Sequence, residues 1–471
     1  MPERDISLLV SRYKQAHEAG RNPYFDADEF SDLAEYYDSI EDLDTAREII
    51  DAGLAIHPGN TSLLVKKGKL AVYDGDYEQA LTLLQSSLEY DFDLYLLRIE
   101  CYLQLEDYVK AYELSEQLLE KEDNESLDNV LAELGFLHVE ADRFREAILY
   151  FEESLKYNAE NIEVLSDLAY AYEMTGDFEA AISTTNKILD IEPYTYEAWV
   201  NLGKLYSLQE EFEKAIDAFD FALTINDSDT NVLKLKAHCL SLSDRVEEAI
   251  EIFNELLLGD MDDATLYLLL AECYQALEMY DEALANLDIY KEIEGETDEL
   301  LSKQAYIFIQ KEDYPAALSV VEGALPGNPD SVDLNLIAGE IALRRERYEE
   351  AKSYLMAIYP ENEDNFQLLD RLAIVNIKEE DYKEAAFYTE RLLDLDPNNL
   401  AVKQRLALLY FETGDEEHFN IVLDQFTDKE LLSLFELIYT PRSQGYFDRD
   451  MLVSYLNRAR EARTLFKNLK Y

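Results

Sequence analysis

An alanine that recurs at a nearly constant interval is the strongest constraint on what this chain can fold into. Seven of the eight intervals that follow Ala111 equal 34 residues. The full set is Ala46, Ala80, Ala111, Ala147, Ala181, Ala215, Ala249, Ala283, Ala317, Ala351 and Ala385. A fixed period of this length is typical of arrays in which each repeat is one small helical or stranded unit stacked on its neighbours. This position is called the repeat alanine below.

Each repeat has the pattern of two amphipathic helices separated by a short break. Residues 196–229 contain Trp199, Leu202, Gly203 and Tyr206 in the first half, and Phe212, Ala215, Phe219 and Ala222 in the second. Steps of three, four and seven place each set on one face of a helix. The repeat is therefore predicted to be a helical hairpin.

A second small residue lies twelve positions before the repeat alanine, and only Ile99 departs from this rule. The members are Ala34, Gly68, Ile99, Gly135, Ala169, Gly203, Ala237, Ala271, Ala305, Gly339 and Ala373. Because two helices approach closely only where side chains are small, we expect these two positions to form the contact inside each hairpin. Three bends carry Gly75-Asp76, Gly176-Asp177 and Gly414-Asp415, which predict a left-handed residue followed by a helix N-cap.

The repeat register slips at one place. The interval from Ala80 to Ala111 is 31 residues, and the interval from Ala111 to Ala147 is 36. The acidic stretch from Glu120 to Glu125 lies between them. We expect the third repeat to be irregular and to be the weakest joint of the array.

The order of Trp, Leu-Gly and Tyr, then Ala, Phe and Ala in residues 196–229 resembles the tetratricopeptide repeat (TPR). The resemblance covers about residues 27–433. It implies an all-α fold, a right-handed superhelical α-solenoid of about twelve TPR helical hairpins, whose first helices line an inner groove that holds peptides or partner proteins. The expected domains are an N-terminal capping helix in 1–26, the solenoid in 27–433 with a degenerate last repeat, and a C-terminal helical cap with a basic last helix in 434–471.

The charge of the chain restricts its partners. Asp and Glu total 101 against 41 Lys and Arg, a formal net charge of -60, which repels nucleic acid and anionic lipid. The N-terminus has no basic region followed by an apolar run, and no stretch approaches about 18 apolar residues. We therefore expect a soluble, cytoplasmic protein that binds neither nucleic acid nor membranes.

Residues that could carry chemistry are scarce. Cys101, Cys239 and Cys273 share one helix position, which is apolar in nearly every other repeat, so they are interpreted as small core residues rather than disulfide partners or metal ligands. The five histidines show no ligand spacing, and no glycine-rich phosphate loop or nucleophile elbow is present. We predict no catalytic residues, no cofactor and no metal, and therefore not an enzyme.

Two functions remain open from the sequence. The first is a non-enzymatic scaffold or adaptor that binds peptide segments or partner proteins in the groove. The alternative is a regulatory TPR protein that changes its superhelical pitch when a ligand or peptide binds. The lysine with which one TPR subfamily grips a C-terminal carboxylate is absent from the second position of the first helix in every repeat.

Charges on the inner side of the first helices indicate where a partner binds. The amino-terminal half is acidic and carries aromatic residues, with Phe136, Glu163, Asp167 and Tyr170 as candidates for binding a basic or mixed peptide. The last repeats carry Arg344, Arg371, Lys378 and Arg405, which are candidates for binding a carboxylate or another anion. The alternative is that these arginines pair with the many surrounding carboxylates.

Overall fold

A computed structural model describes residues 6–18, 24–87, 90–121, 126–259, 262–438 and 448–468, with the backbone alone for residues 18 and 464–468. Within these ranges the chain is all-α, with 27 α-helices, one short 3-10 helix at Tyr359–Glu361 and no strand. The chain forms two compact units, the amino-terminal unit Met1–Arg245 and the carboxyl-terminal unit Val246–Tyr471. The all-α fold class expected from the sequence is confirmed.

The amino-terminal unit begins with a single helix that packs on the first hairpin. Its helices are α1 (Ile6–Glu18), α2 (Ala27–Ser39), α3 (Leu43–Ile56), α4 (Thr61–Tyr73), α5 (Tyr77–Leu84), α6 (Phe92–Gln104), α7 (Tyr108–Leu119), α8 (Leu127–Glu140), α9 (Phe144–Ser154), α10 (Ile162–Met174), α11 (Phe178–Ile191), α12 (Tyr196–Leu208), α13 (Phe212–Ile225) and α14 (Thr230–Leu242). Leu9, Val10 and Tyr13 of α1 are buried against Phe30 and Leu33 of α2. The first helix therefore covers an apolar face that would otherwise meet water.

The carboxyl-terminal unit continues the same alternation and ends in two further helices. Its helices are α15 (Val246–Gly259), α16 (Ala264–Ala276), α17 (Tyr280–Glu294), α18 (Asp298–Gln310), α19 (Tyr314–Ala324), α20 (Val332–Arg344), α21 (Tyr348–Ile358), α22 (Phe366–Lys378), α23 (Tyr382–Leu395), α24 (Leu400–Thr413), α25 (Glu416–Asp424), α26 (Asp428–Ile438) and α27 (Arg449–Asn468). The domain boundary expected after residue 433 falls inside α26.

The small residues set the spacing of the helices inside each hairpin. Every repeat alanine is at most 1% exposed. A Cβ atom added to Gly135 would lie 2.3 Å from Phe151, and one added to Gly203 would lie 2.4 Å from Phe219. Each of these phenylalanines follows its repeat alanine by four residues. The small residue of the first helix therefore makes room for the bulky side chain one turn beyond the repeat alanine.

The hairpin bends use a left-handed residue, as three glycines predict. Gly75, Gly176 and Gly414 have φ values of 74°, 79° and 78°. The aspartate after each glycine caps the second helix by accepting a hydrogen bond from a backbone N–H. In other repeats an acidic residue takes this conformation, with φ between 56° and 61°, at Glu41, Glu106, Asp142, Glu210, Glu278, Glu312, Glu346 and Glu380. The sequence pattern predicted this left-handed conformation only at the bends that contain glycine.

The last helix packs on the end of the carboxyl-terminal unit. Leu452 and Leu456 of α27 are 2% and 0% exposed in the core that also contains residues of α24 and α26. Arg449 donates hydrogen bonds to the carbonyl oxygens of Leu423 and Phe426. The arginines of this basic helix therefore help to hold it in place. In the sequence, the apolar spacing of Leu452, Leu456 and Ala459 continues to Phe466 and Leu469, which lie outside the residues whose side chains the structure describes.

Candidate functional site

Three arginines predicted to bind a partner form one continuous row of ion pairs with two carboxylates. Arg344 Nε lies 2.7 Å from one oxygen of Glu340, and Arg371 Nε lies 2.8 Å from the other. Arg371 also contacts Asp370 at 3.2 Å, and the second oxygen of Asp370 lies 2.6 Å from Arg405. These five residues of α20, α22 and α24 are called the arginine row below. The first helices thus bring Arg344, Arg371 and Arg405 together; Arg371 and Arg405 share one repeat position, whereas Arg344 shares that of Lys378.

The arginine row shows that pairing with carboxylates occurs in the free chain. Glu340 and Asp370 are the more shielded members, with side chains 19% and 20% exposed. The Arg344 side chain is 51% exposed, and those of Arg371 and Arg405 are 31% and 26% exposed. The three arginines and two carboxylates of the arginine row together carry a net charge of +1. Lys378 is exposed at the end of α22, and the described residues give it no ion pair.

A cavity of about 340 Å³ opens beside the arginine row, between the first helices α18, α20 and α22. Leu336 and Ile337 supply apolar lining, and the cations Lys303 and Arg371 line the cavity together with the carboxylates Asp333 and Glu340. Lys303 also pairs with Glu272 at 2.7 Å. The Oγ atom of Ser302, also in its lining, is buried and has no hydrogen-bond partner among the described residues. A buried hydroxyl without a partner is unfavourable, so a ligand that supplied a hydrogen bond would be stabilised there.

The acidic candidates of the amino-terminal unit influence one another electrostatically. Partial burial and then Glu163 raise the pKa of both Glu133 and Asp167. Tyr170 is 44% exposed, with its ring 5.8 Å from the ring of Phe144. Phe136 is half-buried, and its ring lies 5.2 Å from that of Phe151, so it serves the core as well as the surface. Tyr170 is therefore the more accessible aromatic residue on this acidic face.

Glu100 also lies on the acidic face of the amino-terminal unit, although the sequence pattern did not indicate it as a candidate residue. Burial, and then the charge of Glu140, raise the pKa of Glu100 to about 7, while Lys69 opposes the shift. Glu100 occupies the helix position that Phe136 and Tyr170 occupy in later repeats. That shared repeat position was the available signal, but the irregular third repeat obscured it.

Replacing Glu100 with glutamine is expected to flatten the pH dependence of stability of the amino-terminal unit. A folded pKa of about 7 exceeds the unfolded value of 4.5. The wild-type contribution is therefore fully present below pH 4.5 and is lost as the pH rises through 7. After allowance for solvent screening, we expect Glu100→Gln to be about 1–2 kcal/mol more stable than wild type at pH 8 and to lose this advantage near pH 5.

Urea unfolding from pH 5 to pH 8 measures this difference, because the other titrating groups are common to both proteins. Asp217→Asn, an exposed substitution on α13, is the matched control and should leave the slope unchanged. Parallel stability curves for wild type and Glu100→Gln would show that Glu100 does not titrate in this range.

The cysteines lie in the core, as their repeat position predicts. Cys101, Cys239 and Cys273 are 0%, 1% and 2% exposed, and all are free thiols. Burial raises the pKa of Cys101 to about 12 and that of Cys273 to about 11. Slow reaction with thiol reagents follows from this burial.

Over the described ranges, no group of three metal-ligating side chains comes together, and no helix has the length and apolar character needed to cross a bilayer.

Sequence models of the tetratricopeptide repeat match residues 65–125, 138–202, 196–229 and 302–365. The match to 196–229 covers the same repeat that shows the pattern most completely, and the structure forms hairpins throughout these ranges. The chain is a tetratricopeptide-repeat protein.

Solved TPR structures resemble this TPR protein at low sequence identity. Yeast Tom70 is 14% identical, with 86% of this chain and 96% of that chain covered and a TM-score of 0.46. A tetratricopeptide repeat protein from Parabacteroides merdae is 21% identical, with coverage of 52% and 96% and a TM-score of 0.39. YrrB, described as a TPR protein with an unusual peptide-binding site, is 18% identical, with coverage of 39% and 95% and a TM-score of 0.33. A comparison with curated proteins found no match.

Proposed function

We propose that this protein is a non-enzymatic scaffold or adaptor that binds extended peptide segments of partner proteins along its first helices. The observation that carries the proposal is the cavity beside the arginine row. It combines apolar lining, two cationic and two acidic side chains, and a buried hydroxyl without a partner among the described residues. A concave surface with a few convergent polar groups is typical of a binding site. The TPR family uses the same helix faces to hold peptides.

The arginine row gives this subsite a preference for acidic ligands. It carries one positive charge in a chain of net charge -60. A guanidinium can bind a carboxylate through two parallel hydrogen bonds, and the ion pair of Arg405 with Asp370 uses only its Nη1 nitrogen. A peptide that places an apolar side chain in the cavity and a carboxylate at Arg371 or Arg405 would satisfy both features.

The acidic face of the amino-terminal unit is proposed as a separate subsite for basic or mixed segments. Glu163 and Asp167 supply the charge, and Tyr170 offers an exposed ring to a cation. Two subsites of opposite preference would allow one chain to hold different segments, as expected of a scaffold.

Alanine substitution of both Arg371 and Arg405 tests the carboxyl-terminal subsite. Peptides selected from a random display library on the full chain provide the ligands, and calorimetry measures their affinity. We expect the double variant to bind the selected acidic peptides about 10- to 100-fold more weakly, because charged hydrogen bonds contribute roughly 1.5–3 kcal/mol. Added salt should weaken the wild-type complex in the same direction.

Arg391→Ala is the matched control for this experiment. Arg391 lies on α23 with a side chain 26% exposed and pairs with Glu363 and Asp364 at 3.1 Å, so it resembles Arg405 in exposure and pairing. The control should retain wild-type affinity. Selected peptides that bind the double variant as tightly as wild type would remove the arginine row from the recognition surface.

A change in radius of gyration on binding would favour the ligand-responsive regulator over a scaffold.

A further inference from the structure

The second helices of the third and fourth repeats expose large apolar side chains where other repeats are polar. Two positions before the repeat alanine, nine of the other ten repeats have a charged residue and one has proline, but the third repeat has Val109, which is 70% exposed. Two positions after the repeat alanine, eight of the other ten repeats have a polar residue, but the fourth has Leu149, which is 66% exposed. Exposed apolar side chains that lie together on a surface are typical of an interaction site.

Tyr112 adds a third exposed apolar side chain to the same surface. It follows its repeat alanine directly, at a position that is buried or half-buried in each of the other ten repeats, yet Tyr112 is 61% exposed. This exposure falls where the register slips, with intervals of 31 and 36 residues on the two sides of Ala111. The irregular repeat therefore presents a side chain that regular stacking covers elsewhere.

Tyr112 and Leu149 line a groove of about 490 Å³ between α7 and α9, and Val109 lies outside its lining. Tyr112 and Glu116 lie on the α7 wall, Leu149 and Glu153 lie on the α9 wall, and Leu131 of α8 lies in the lining between them. The groove is thus bounded by two helices with a third beneath them. That arrangement resembles the surfaces that accept the apolar face of an amphipathic helix. It is called the α7–α9 groove below.

The charged residues around the α7–α9 groove determine which charge a partner helix should carry. Glu116, Glu146 and Glu153 line the groove together with a single cation, Arg143, and Glu153 also pairs with Lys156 outside the lining. Arg143 pairs with Glu146 and lies 4.3 Å from the centre of the Tyr108 ring, so its charge is already engaged. The net charge of -60 would further attract a cationic partner and repel an acidic one.

We propose that the α7–α9 groove docks an amphipathic helix of a partner protein that has leucine or aromatic residues on one face and lysine or arginine beside them. The apolar face covers Tyr112 and Leu149, and the flanking cations meet the glutamates of the rim. This surface consists of second helices, so it is distinct from the peptide subsites on the first helices. It would allow the scaffold to hold a folded helix and an extended segment at the same time.

A synthetic helical peptide tests the groove with a defined probe. The peptide has leucines at positions i, i+3, i+4 and i+7 and lysines elsewhere, and fluorescence anisotropy measures its binding to the full chain. We expect Leu149→Gln and Tyr112→Gln each to weaken binding about tenfold, which corresponds to about 1.4 kcal/mol. Leu149→Met should retain wild-type affinity because it keeps an apolar side chain of similar volume.

Phe387→Gln is the matched control, because Phe387 occupies the repeat position of Leu149 on another second helix and is 48% exposed. It should leave affinity unchanged. Equal losses from Phe387→Gln and Leu149→Gln, or equal binding of a peptide with serine in place of leucine, would overturn the proposal in favour of nonspecific attraction to an acidic protein. The Arg371 and Arg405 double variant should bind this probe normally, which separates the test from that of the peptide subsites.

Sedimentation velocity tests whether a second copy of the chain occupies the groove instead. We expect wild type and Leu149→Gln to sediment identically at the concentrations used for binding. Self-association that Leu149→Gln abolishes would overturn the proposal and make the α7–α9 groove an interface between copies.

Discussion

Replacing Gly203 with alanine is expected to lower the free energy of unfolding of the amino-terminal unit by about 2–3 kcal/mol. The added Cβ would lie 2.4 Å from Cε1, 2.6 Å from Cδ1 and 2.8 Å from Cζ of Phe219. Real Cβ atoms do not approach carbon this closely, so the ring or the helix has to move. Phe219 is fully buried, which leaves its ring no open space to enter.

Gly323→Ala is the matched control for this substitution. Gly323 also lies in a helix, α19, but no atom outside its own helix backbone and chain neighbours lies within 4 Å of its added Cβ. Alanine there should be neutral or stabilise by up to about 1 kcal/mol, because glycine is the poorer helix former. Urea unfolding followed by circular dichroism measures both variants. A Gly203→Ala protein as stable as wild type would show that the hairpin spacing is not set by this contact.

Leu456→Ala is expected to destabilise the carboxyl-terminal unit by about 2–5 kcal/mol, because it removes a fully buried side chain and leaves a cavity. Leu456 is 0% exposed in the core that includes Leu431 and Leu434, which are also fully buried. Met451→Ala, on the same helix at a residue 45% exposed, is the control and should change stability by no more than about 0.5 kcal/mol. Thermal and urea unfolding of the full chain measure both.

Leu456→Ala distinguishes a capping helix from a free recognition arm. Arg460 is 4% exposed, donates a hydrogen bond to the Gly414 carbonyl and pairs with Glu416 at 3.0 Å, so α27 is held by polar as well as apolar contacts. If Leu456→Ala and deletion of residues 441–471 both left unfolding unchanged but abolished partner binding, the helix would act in recognition and not as a cap.

The hairpins could be predicted in detail because their determinants are local in sequence. A step of three or four residues defines one face of a helix, and a small residue at a fixed distance defines where two consecutive helices meet. Gly203 and Ala215 are separated by only twelve residues and one bend, so their relation follows from the chain itself. The same reasoning placed the three cysteines in the core. The acidic left-handed residues, such as Glu278, were missed because no glycine marks them.

The surface could be predicted only in part. Repeat position correctly indicated that Arg371 and Arg405 face the same way, but not that Asp370 joins them or that Glu340 compensates Arg344. Long charged side chains have many rotamers, and two of the four ion pairs in the arginine row join helices about one repeat apart in sequence. Sequence pattern therefore identifies the face on which a charge lies but not the ion pair that it makes.

By itself, the sequence determined the all-helical hairpin, its register and the identity of the buried small residues, because each of these depends on contacts between residues close together in the chain. The burial and the electrostatic environment of individual surface side chains depend on the tertiary structure. Burial, and then the charge of Glu140 in the next hairpin, raise the pKa of Glu100, and the exposure of Tyr112 depends on how that hairpin stacks beside it. The burial and the electrostatic environment of a side chain depend on neighbours from other repeats. A repeat pattern predicts those neighbours only where the 34-residue period is unbroken.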